Sequence, residues 1–437
     1  MNGRKRGGVS PSLFFTVSGF RTLCFLLIGI CPAVLASCGG GGSSAPPPPK
    51  TWNILVYMDG DNNLGPAALK DLQEMKSAPG SPYVTIVVQL DLDNNVPTRR
   101  YRVANDNLVL LEDLGERDMA SPDTLTGFLA WADNTLPAAD RTVLILWNHG
   151  NGWDQGDAPT PPLATARPRS VFYDDDNHSP FLSNQRAAQA IRNAGIRLDL
   201  LGMDASIMGT LEAMYEFRDL APVLVTSQEV GFTSGWDYKA ILTALSANPG
   251  MDAEELGRVV VDAYRNSMET FYLRAPGYER KHTISAVRAG FLDNVATEVD
   301  RLGVDLTAAM DNLSTRLETV TAIGSARAAA QAIDLYVTPY VYVDLVDLDR
   351  LLDRGTGISG LVSGATIAEY HGSARPDAHG VSIVFFQLPE AAPPPLGLGT
   401  FDNNYRNYDN VANTGNAGAF INRYRWDEFL HRYYALQ

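Results

Sequence analysis

Short apolar stretches alternate with helical patterns along the first half of the chain. Within it, Leu69, Leu72 and Met75 recur at helical spacing, and Ser121-Pro122 gives the hydroxyl cap and first-turn proline that are typical of a helix start. Buried strands are expected at residues 53–57, 84–90, 143–147, 198–203 and 222–226. Strands separated by helices predict right-handed crossovers and a mainly parallel sheet covered on both faces. The fold class is therefore α/β.

The N-terminus has a different pattern. Four basic residues precede an uncharged, largely apolar run at residues 22–37, which is shorter than the about 20 residues of a membrane span. This is typical of a signal peptide. It ends in Leu35-Ala36-Ser37-Cys38, which resembles the lipobox of bacterial lipoproteins, with Cys38 as the lipidated residue. The alternative is an ordinary secreted protein whose cleavage site happens to be followed by cysteine.

Residues 38–51 are rich in glycine, serine and proline and are expected to tether the lipid to the folded part. In the lipoprotein resemblance, Gly39 after the cysteine favours the outer membrane over the inner membrane. The protein is thus expected in the cell envelope, outside the cytoplasm and attached to a membrane through its lipid.

Cysteine content and charge narrow the chemistry. Cys24, Cys31 and Cys38 all lie in the signal or at its end, so the processed domain is expected to have no disulfide, thiolate metal site or cysteine nucleophile. The full chain has a formal net charge of −15, and the signal contains none of its acidic residues. An acidic surface argues against nucleic acid as a partner and is compatible with cationic ligands or with simple solubility.

Two polar segments follow predicted strands, where ligands gather in parallel sheets. Residues 148–153 contain His149 between Asn148 and Gly150, and residues 204–209 contain Asp204 and Ser206. Each segment alone is compatible with an ordinary turn, but the two together favour a site. Gly150 leaves backbone N–H groups unobstructed beside the histidine, as an oxyanion site requires.

Several blocks in consistent order resemble the clostripain family of cysteine peptidases. The resemblance covers residues 52–437 and is carried by segments 52–64, 144–153, 198–212, 227–229, 235–236, 283–287, 342–345, 380–384 and 426–430. It implies a caspase-like α/β/α sandwich at residues 52–270 and a family-specific C-terminal subdomain at residues 271–437.

The resemblance also assigns roles. The family's catalytic histidine falls on His149, its catalytic cysteine falls on Ser206, and Asp204 matches the acidic residue of the pocket for an Arg or Lys side chain. Activating cleavage between the two motifs is common in the family, and Arg167 and Arg169 lie in that interval.

No cofactor is expected from the residues themselves, and calcium is implied by the family resemblance alone. The acidic groups at Asp59, Asp61 and 174–176 do not have calcium-loop spacing and are expected to be turn and surface residues.

The serine at position 206 decides the expected function. A thiol can be deprotonated by a neighbouring imidazole, whereas a serine hydroxyl must lose its proton during attack, and a dyad lacks the third group that orients the histidine in serine triads. We therefore expect a pseudopeptidase that binds peptides or proteins with exposed Arg or Lys. The alternatives are an active endopeptidase using Ser206 and His149, and an inactivating substitution in a chain that normally has cysteine.

Overall fold

The computed structural model describes residues 49–93, 96–153, 182–232, 235–333, 342–386, 405 and 418–437. Its strands are β1 Trp52–Gly60, β2 Val84–Leu92, β3 Val96–Ala104, β4 Asn107–Asp113, β5 Arg141–Trp147, β6 Leu200–Asp204, β7 Val223–Thr226, β8 Thr283–Arg288, β9 Ala332–Ile333, β10 Tyr342–Asp344, β11 Thr366–His371 and β12 Ser382–Val384. Its helices are α1 Gly65–Ser77, α2 Pro122–Thr135, α3 Asn184–Ala194, α4 Leu211–Phe217, α5 Tyr238–Ala247, α6 Ala253–Arg274, α7 Leu292–Asp311, α8 Arg316–Ala329, α9 Leu345–Leu352, α10 Ile358–Ala365, α11 Ala419–Arg423 and α12 Trp426–Tyr434.

A nine-stranded sheet organises the described residues. Its strand order is β11-β8-β7-β6-β5-β1-β2-β3-β4. The five inner strands from β7 to β2 run parallel, whereas β3, β4, β8 and β11 join through antiparallel pairs. The predicted α/β class with a mainly parallel sheet is confirmed, and so are the five predicted strands.

Each face of the sheet has its own apolar core, because successive side chains of a strand point to opposite faces. Leu55 and Tyr57 of β1 pack with α2, α3 and α7, while Ile54, Val56 and Met58 pack with α1, α5 and α6. The buried inner strands are apolar on both faces, which explains their continuous hydrophobic runs.

The C-terminal half continues the same sheet. Strands β8 and β11 lie beyond residue 270, yet β8 pairs with β7. The expected boundary between residues 270 and 271 falls inside α6, and one sheet contains strands from both sides of it. A smaller sheet of order β12-β10-β9 lies next to the main one, and the amide of Ser382 at its edge donates to the carbonyl of Gly209 at 2.9 Å.

Within the described ranges, no helix combines the length and the apolarity that crossing a membrane requires. The signal at residues 1–37 and the lipidation residue Cys38 lie outside the described residues.

Candidate active site

Strands β5 and β6 bring the two predicted segments together. They are adjacent and parallel, and Trp147 at the end of β5 is in register with Asp204 at the end of β6. His149 and Ser206 each follow two residues later, at the carboxyl edge of the sheet. The structure thus places both at the ends of neighbouring parallel strands, as predicted from the sequence.

Gly150 is in direct contact with the backbone at Ser206. A β-carbon at position 150 would lie 2.2 Å from the carbonyl oxygen and 2.9 Å from the amide nitrogen of Ser206. Only a residue without a side chain fits at this distance. The absence of a β-carbon therefore lets the histidine loop pack against the backbone of Ser206.

The turn that contains Ser206 has an unusual backbone. Ile207 is fully buried and has a φ of 63°, a left-handed conformation that is rare for a β-branched residue. Two hydrogen bonds fix the turn, from the amide of Ile207 to the carbonyl of Glu229 at 3.1 Å and from the amide of Gly209 to the carbonyl of Ser227 at 2.7 Å. The turn directs the Ser206 side chain towards the segment that follows β7.

That segment supplies a donor which the sequence alone did not identify. The backbone N–H of Gly231 donates to Oγ of Ser206 at 3.0 Å. Nearby, Glu229 is fully buried, and its Oε1 accepts from Nε of Arg375 at 2.8 Å while its Oε2 accepts from the amide of Val230 at 3.2 Å. A buried, charge-assisted pair thus holds the segment next to the turn.

His149 is oriented by a network of amides. Its Nε2 lies 2.9 Å from Oδ1 of Asn63, and its backbone N–H donates to Oδ1 of Asn148. The Asn148 amide donates in turn to Oδ2 of Asp59 at 2.5 Å. The contact with the Asn63 amide thus fixes the orientation of the imidazole ring through Nε2.

Asp204 lies at the base of the same edge. Its Oδ2 accepts from the backbone N–H of Trp236 at 3.1 Å and from the Tyr238 hydroxyl at 2.9 Å. Burial raises the pKa of Asp204, and these two hydrogen bonds oppose the shift. The arrangement fixes the direction of one carboxylate in a site of low polarity.

A second carboxylate, Asp71 of α1, belongs to the same group and was missed from the sequence. It is fully buried, and its Oδ2 accepts from Nε1 of Trp147 at 2.9 Å. The helical spacing of α1 does not place position 71 among the apolar residues of the helix. Its proximity to Asp204 follows only from the packing of α1 against β1 and β5.

Three other carboxylates meet beside this edge. Oxygen atoms of Asp61, Asp91 and Glu116 lie within 4.8 Å of one another, and Asp61 and Asp91 are fully buried. Carboxylate oxygens suit a hard cation such as calcium. Among the described residues, this group has oxygen atoms close enough together to bind one such cation. Asp61 forms a turn by donating its amide to Oδ1 of Asp59 at 3.1 Å. The expectation that Asp59 and Asp61 are surface residues is wrong, because the end of β1 is covered and both side chains are buried.

Other sequence predictions fall outside the described residues. These are the cleavage candidates Arg167 and Arg169 and the acidic group at residues 174–176.

The model of the Clostripain family matches residues 56–363. The chain belongs to the clostripain family. Clostripain from Hathewaya histolytica is 24% identical over 367 residues, which cover 70% of this chain and 66% of that protein, slightly under two thirds of its length.

Two solved structures share the fold of this clostripain-family chain. A secreted cysteine protease from Bacteroides thetaiotaomicron, in complex with an irreversible peptide inhibitor, has a TM-score of 0.58 at 15% identity and covers 83% of this chain and 99% of that one. An inactive zymogen protease from Parabacteroides distasonis has a TM-score of 0.55 at 20% identity, with 78% and 93% covered.

Proposed function

We propose that this clostripain-family chain is a lipid-anchored pseudopeptidase that binds peptides or proteins through exposed Arg or Lys side chains. The main observation behind the proposal is the identity of the residue at position 206, in the turn after β6. By the sequence resemblance, Ser206 takes the position of the family's catalytic cysteine and Asp204 that of the residue for basic side chains; Trp236 and Tyr238 donate hydrogen bonds to Asp204.

Binding is supported by the chemistry of Asp204. A carboxylate fixed by two donors in a desolvated site attracts a guanidinium or ammonium group more strongly than an exposed carboxylate does. The net charge of the chain also favours approach of cationic ligands.

The weak acidity of the Ser206 hydroxyl supports a loss of turnover. A serine hydroxyl is a far weaker acid than a thiol, so its attack needs a base that is oriented and supported when it becomes charged. Nε2 of His149 is bonded to a neutral amide, Asn63 Oδ1, which orients the ring but adds no negative charge to stabilise an imidazolium.

A second candidate function is slow, serine-dependent hydrolysis after Arg or Lys. One observation favours it: the Gly231 N–H already meets Oγ of Ser206 at 3.0 Å, next to the packed His149 loop. In this candidate, Ser206 is the nucleophile, His149 the base, and the Gly150 N–H the donor to the oxyanion.

The decisive experiment measures binding and cleavage on the same peptides. Fluorescent peptides containing Arg or Lys are compared with the same peptides containing citrulline or norleucine, using the wild type, Ser206→Ala and Asp204→Asn. We expect preferential binding of the charged peptides, unchanged by Ser206→Ala and weakened by Asp204→Asn, with no cleavage. Cleavage by the wild type that Ser206→Ala abolishes would instead establish the serine peptidase. Equal binding of charged and neutral peptides would refute the proposed recognition.

The proposed location rests on the sequence before residue 52. Export and acylation of Cys38 would display the binding edge outside the cytoplasm, and Gly39 favours the outer membrane.

A further inference from the structure

The carboxylates of Asp71 and Asp204 approach each other beside Gly235. Gly235 has a φ of 61°, and a β-carbon on it would lie 2.7 Å from Oδ2 of Asp71 and 2.9 Å from Oδ2 of Asp204. Both oxygens therefore face the same point, and they lie within about 6 Å of each other, inside the range in which like charges interact strongly. Gly235 lets the chain pass beside the pair without a side chain in between.

Asp71 is the more buried member of the pair. Its Oδ2 accepts from Trp147, whereas its Oδ1 accepts no hydrogen bond within the described part of the chain. The ammonium of Lys70 lies 3.6 Å from that Oδ1, while its main partner is Glu74 Oε1 at 2.5 Å. The ammonium group of Lys70 thus lies next to the Asp71 side of the pair and offsets a part of its negative charge.

The geometry points to Asp71 as a second specificity-determining residue of the pocket: the Asp71–Asp204 pair holds one proton when empty and releases it when a cationic side chain binds. This inference rests on the proposed recognition of Arg or Lys at Asp204. It adds a partner residue, a proton and a dependence on pH.

Electrostatics supports the shared proton. Burial and the charge of Asp204 raise the pKa of Asp71, whereas the Trp147 hydrogen bond and Lys70 oppose the shift. Burial and Asp204 likewise raise the pKa values of Tyr238 and Tyr264, so both hydroxyls stay neutral. The groups that face the pair are therefore Lys70 and Glu74 from α1, Trp147 from β5, Tyr238 from α5 and Tyr264 from α6.

The proton balance is simple. In the empty pocket, one carboxylic acid and one carboxylate carry a single negative charge between them. A guanidinium or ammonium group that enters stabilises both carboxylates in the charged form, and the displaced proton leaves to solvent. The bound cation then faces two negative charges. A purely structural proton-sharing pair would keep its proton when the ligand binds.

Calorimetry tests this balance directly. The probe is a capped dipeptide amide that ends in arginine, titrated into the full chain at one pH in buffers of different ionisation enthalpy. The matched neutral probe has citrulline instead. We expect the wild type to release up to one proton per arginine peptide, and its affinity to rise by about tenfold per pH unit while the pair is protonated.

Asp71→Asn is the isosteric variant. It should bind the arginine peptide about tenfold more weakly once the wild-type pair is fully ionised, with little proton release and a flatter pH profile. Asp133→Asn, a substitution of an exposed carboxylate on α2, should behave as the wild type. If Asp71→Asn fails to fold, the dependence of the wild-type binding enthalpy on the buffer still gives the number of protons released.

The outcomes separate the two proposals. If the wild type prefers the arginine peptide but releases no proton, or if Asp71→Asn matches it in affinity and pH profile, the role of Asp71 is refuted while recognition at Asp204 stands. If the wild type does not distinguish arginine from citrulline, the proposed recognition fails, and the role of Asp71 fails with it.

Discussion

The backbone N–H of Gly231 lies 3.0 Å from Oγ of Ser206 and donates a hydrogen bond to it. This donor depends on the backbone alone, so it remains when the side chain at position 206 changes. Together with the packing of Gly150 against Ser206, it holds position 206 at a defined place beside the His149 loop.

Ser206→Cys should therefore create hydrolysis after Arg or Lys. The pKa of a thiol is low enough for a neighbouring imidazole to deprotonate it. We therefore expect a rate of hydrolysis at least about a hundredfold above that of the wild type. Fluorogenic peptides and a thiol-directed peptide inhibitor measure it, and adding His149→Ala should abolish the gain. A folded Ser206→Cys protein that neither labels nor cleaves would show that the pocket has changed as well as the nucleophile.

Asn63→Ala should reduce the activity created by Ser206→Cys. The Asn63 side chain orients His149 through Nε2, and its loss lets the ring adopt unproductive orientations. We expect kcat to fall about tenfold with little change in KM, because general-base catalysis contributes about 10²–10⁴-fold and loss of orientation removes a part of it. The exposed Asn134→Ala is the control, and a change confined to KM would contradict this role of Asn63.

Gly150→Ala should disturb the site, since a β-carbon there would meet the carbonyl oxygen of Ser206 at 2.2 Å. Relieving such a contact usually costs about 1–3 kcal/mol. Binding of basic peptides and the thermal midpoint should both fall. Gly127→Ala in α2 is the matched control, because no atom lies within 4 Å of its β-carbon and alanine favours a helix by about 0.5–1 kcal/mol. Similar behaviour of the two variants would mean that the loops are not in contact.

Glu212 predicts a measurable dependence of stability on pH. Burial raises its pKa to about 7, although Oε1 accepts from the amide of Val384 and the hydroxyl of Tyr405. The folded state then binds more protons than the unfolded state between the ordinary glutamate pKa and about 7, so the contribution of this group to stability falls as pH rises through that window.

Glu212→Gln keeps an oxygen acceptor but stays neutral. The variant should therefore be more stable than the wild type at pH 8, with a smaller difference at pH 5, as measured by thermal midpoints. Glu318→Gln, on the exposed part of α8, is the control. A wild-type advantage that grows from pH 5 to pH 8 would contradict the assignment.

Cys38→Ala should prevent acylation and leave the domain soluble or unprocessed. The tether at residues 38–51 has no apolar side chain large enough to anchor it in a bilayer. Fractionation of cells that produce the two forms measures this. Retention of the processed variant on membranes would rule out the lipobox interpretation.

The parts of the fold that were predictable are those with continuous apolar runs. Strands β1, β5 and β6 are buried on both faces, so their sequences identify them, and the loops that follow them place His149 and Ser206 at one edge. By contrast, β3 and β4 form an edge with charged and polar positions such as Arg99 and Asp113, and they have no such signal.

The contacts of the site were less accessible from sequence. Asp71 resembles any polar position on an amphipathic helix until the crossover places α1 against Asp204. Gly231 contributes through its backbone N–H, which every residue except proline has. The family resemblance therefore pointed to side chains with expected roles, whereas the contributions of Asp71 and Gly231 depend on tertiary packing.

The left-handed backbone of Ile207 is maintained largely by contacts outside position 206. A strained residue of this kind costs on the order of 1–3 kcal/mol, and burial of its side chain returns about 1.5–3 kcal/mol. The main supports of the turn are thus the burial of Ile207 and its hydrogen bond to the carbonyl of Glu229, to which the Gly231 amide adds a bond to Oγ of Ser206. A substitution by another small side chain at position 206 therefore leaves these main supports in place, so the chemistry of the site can change while its fold stays the same.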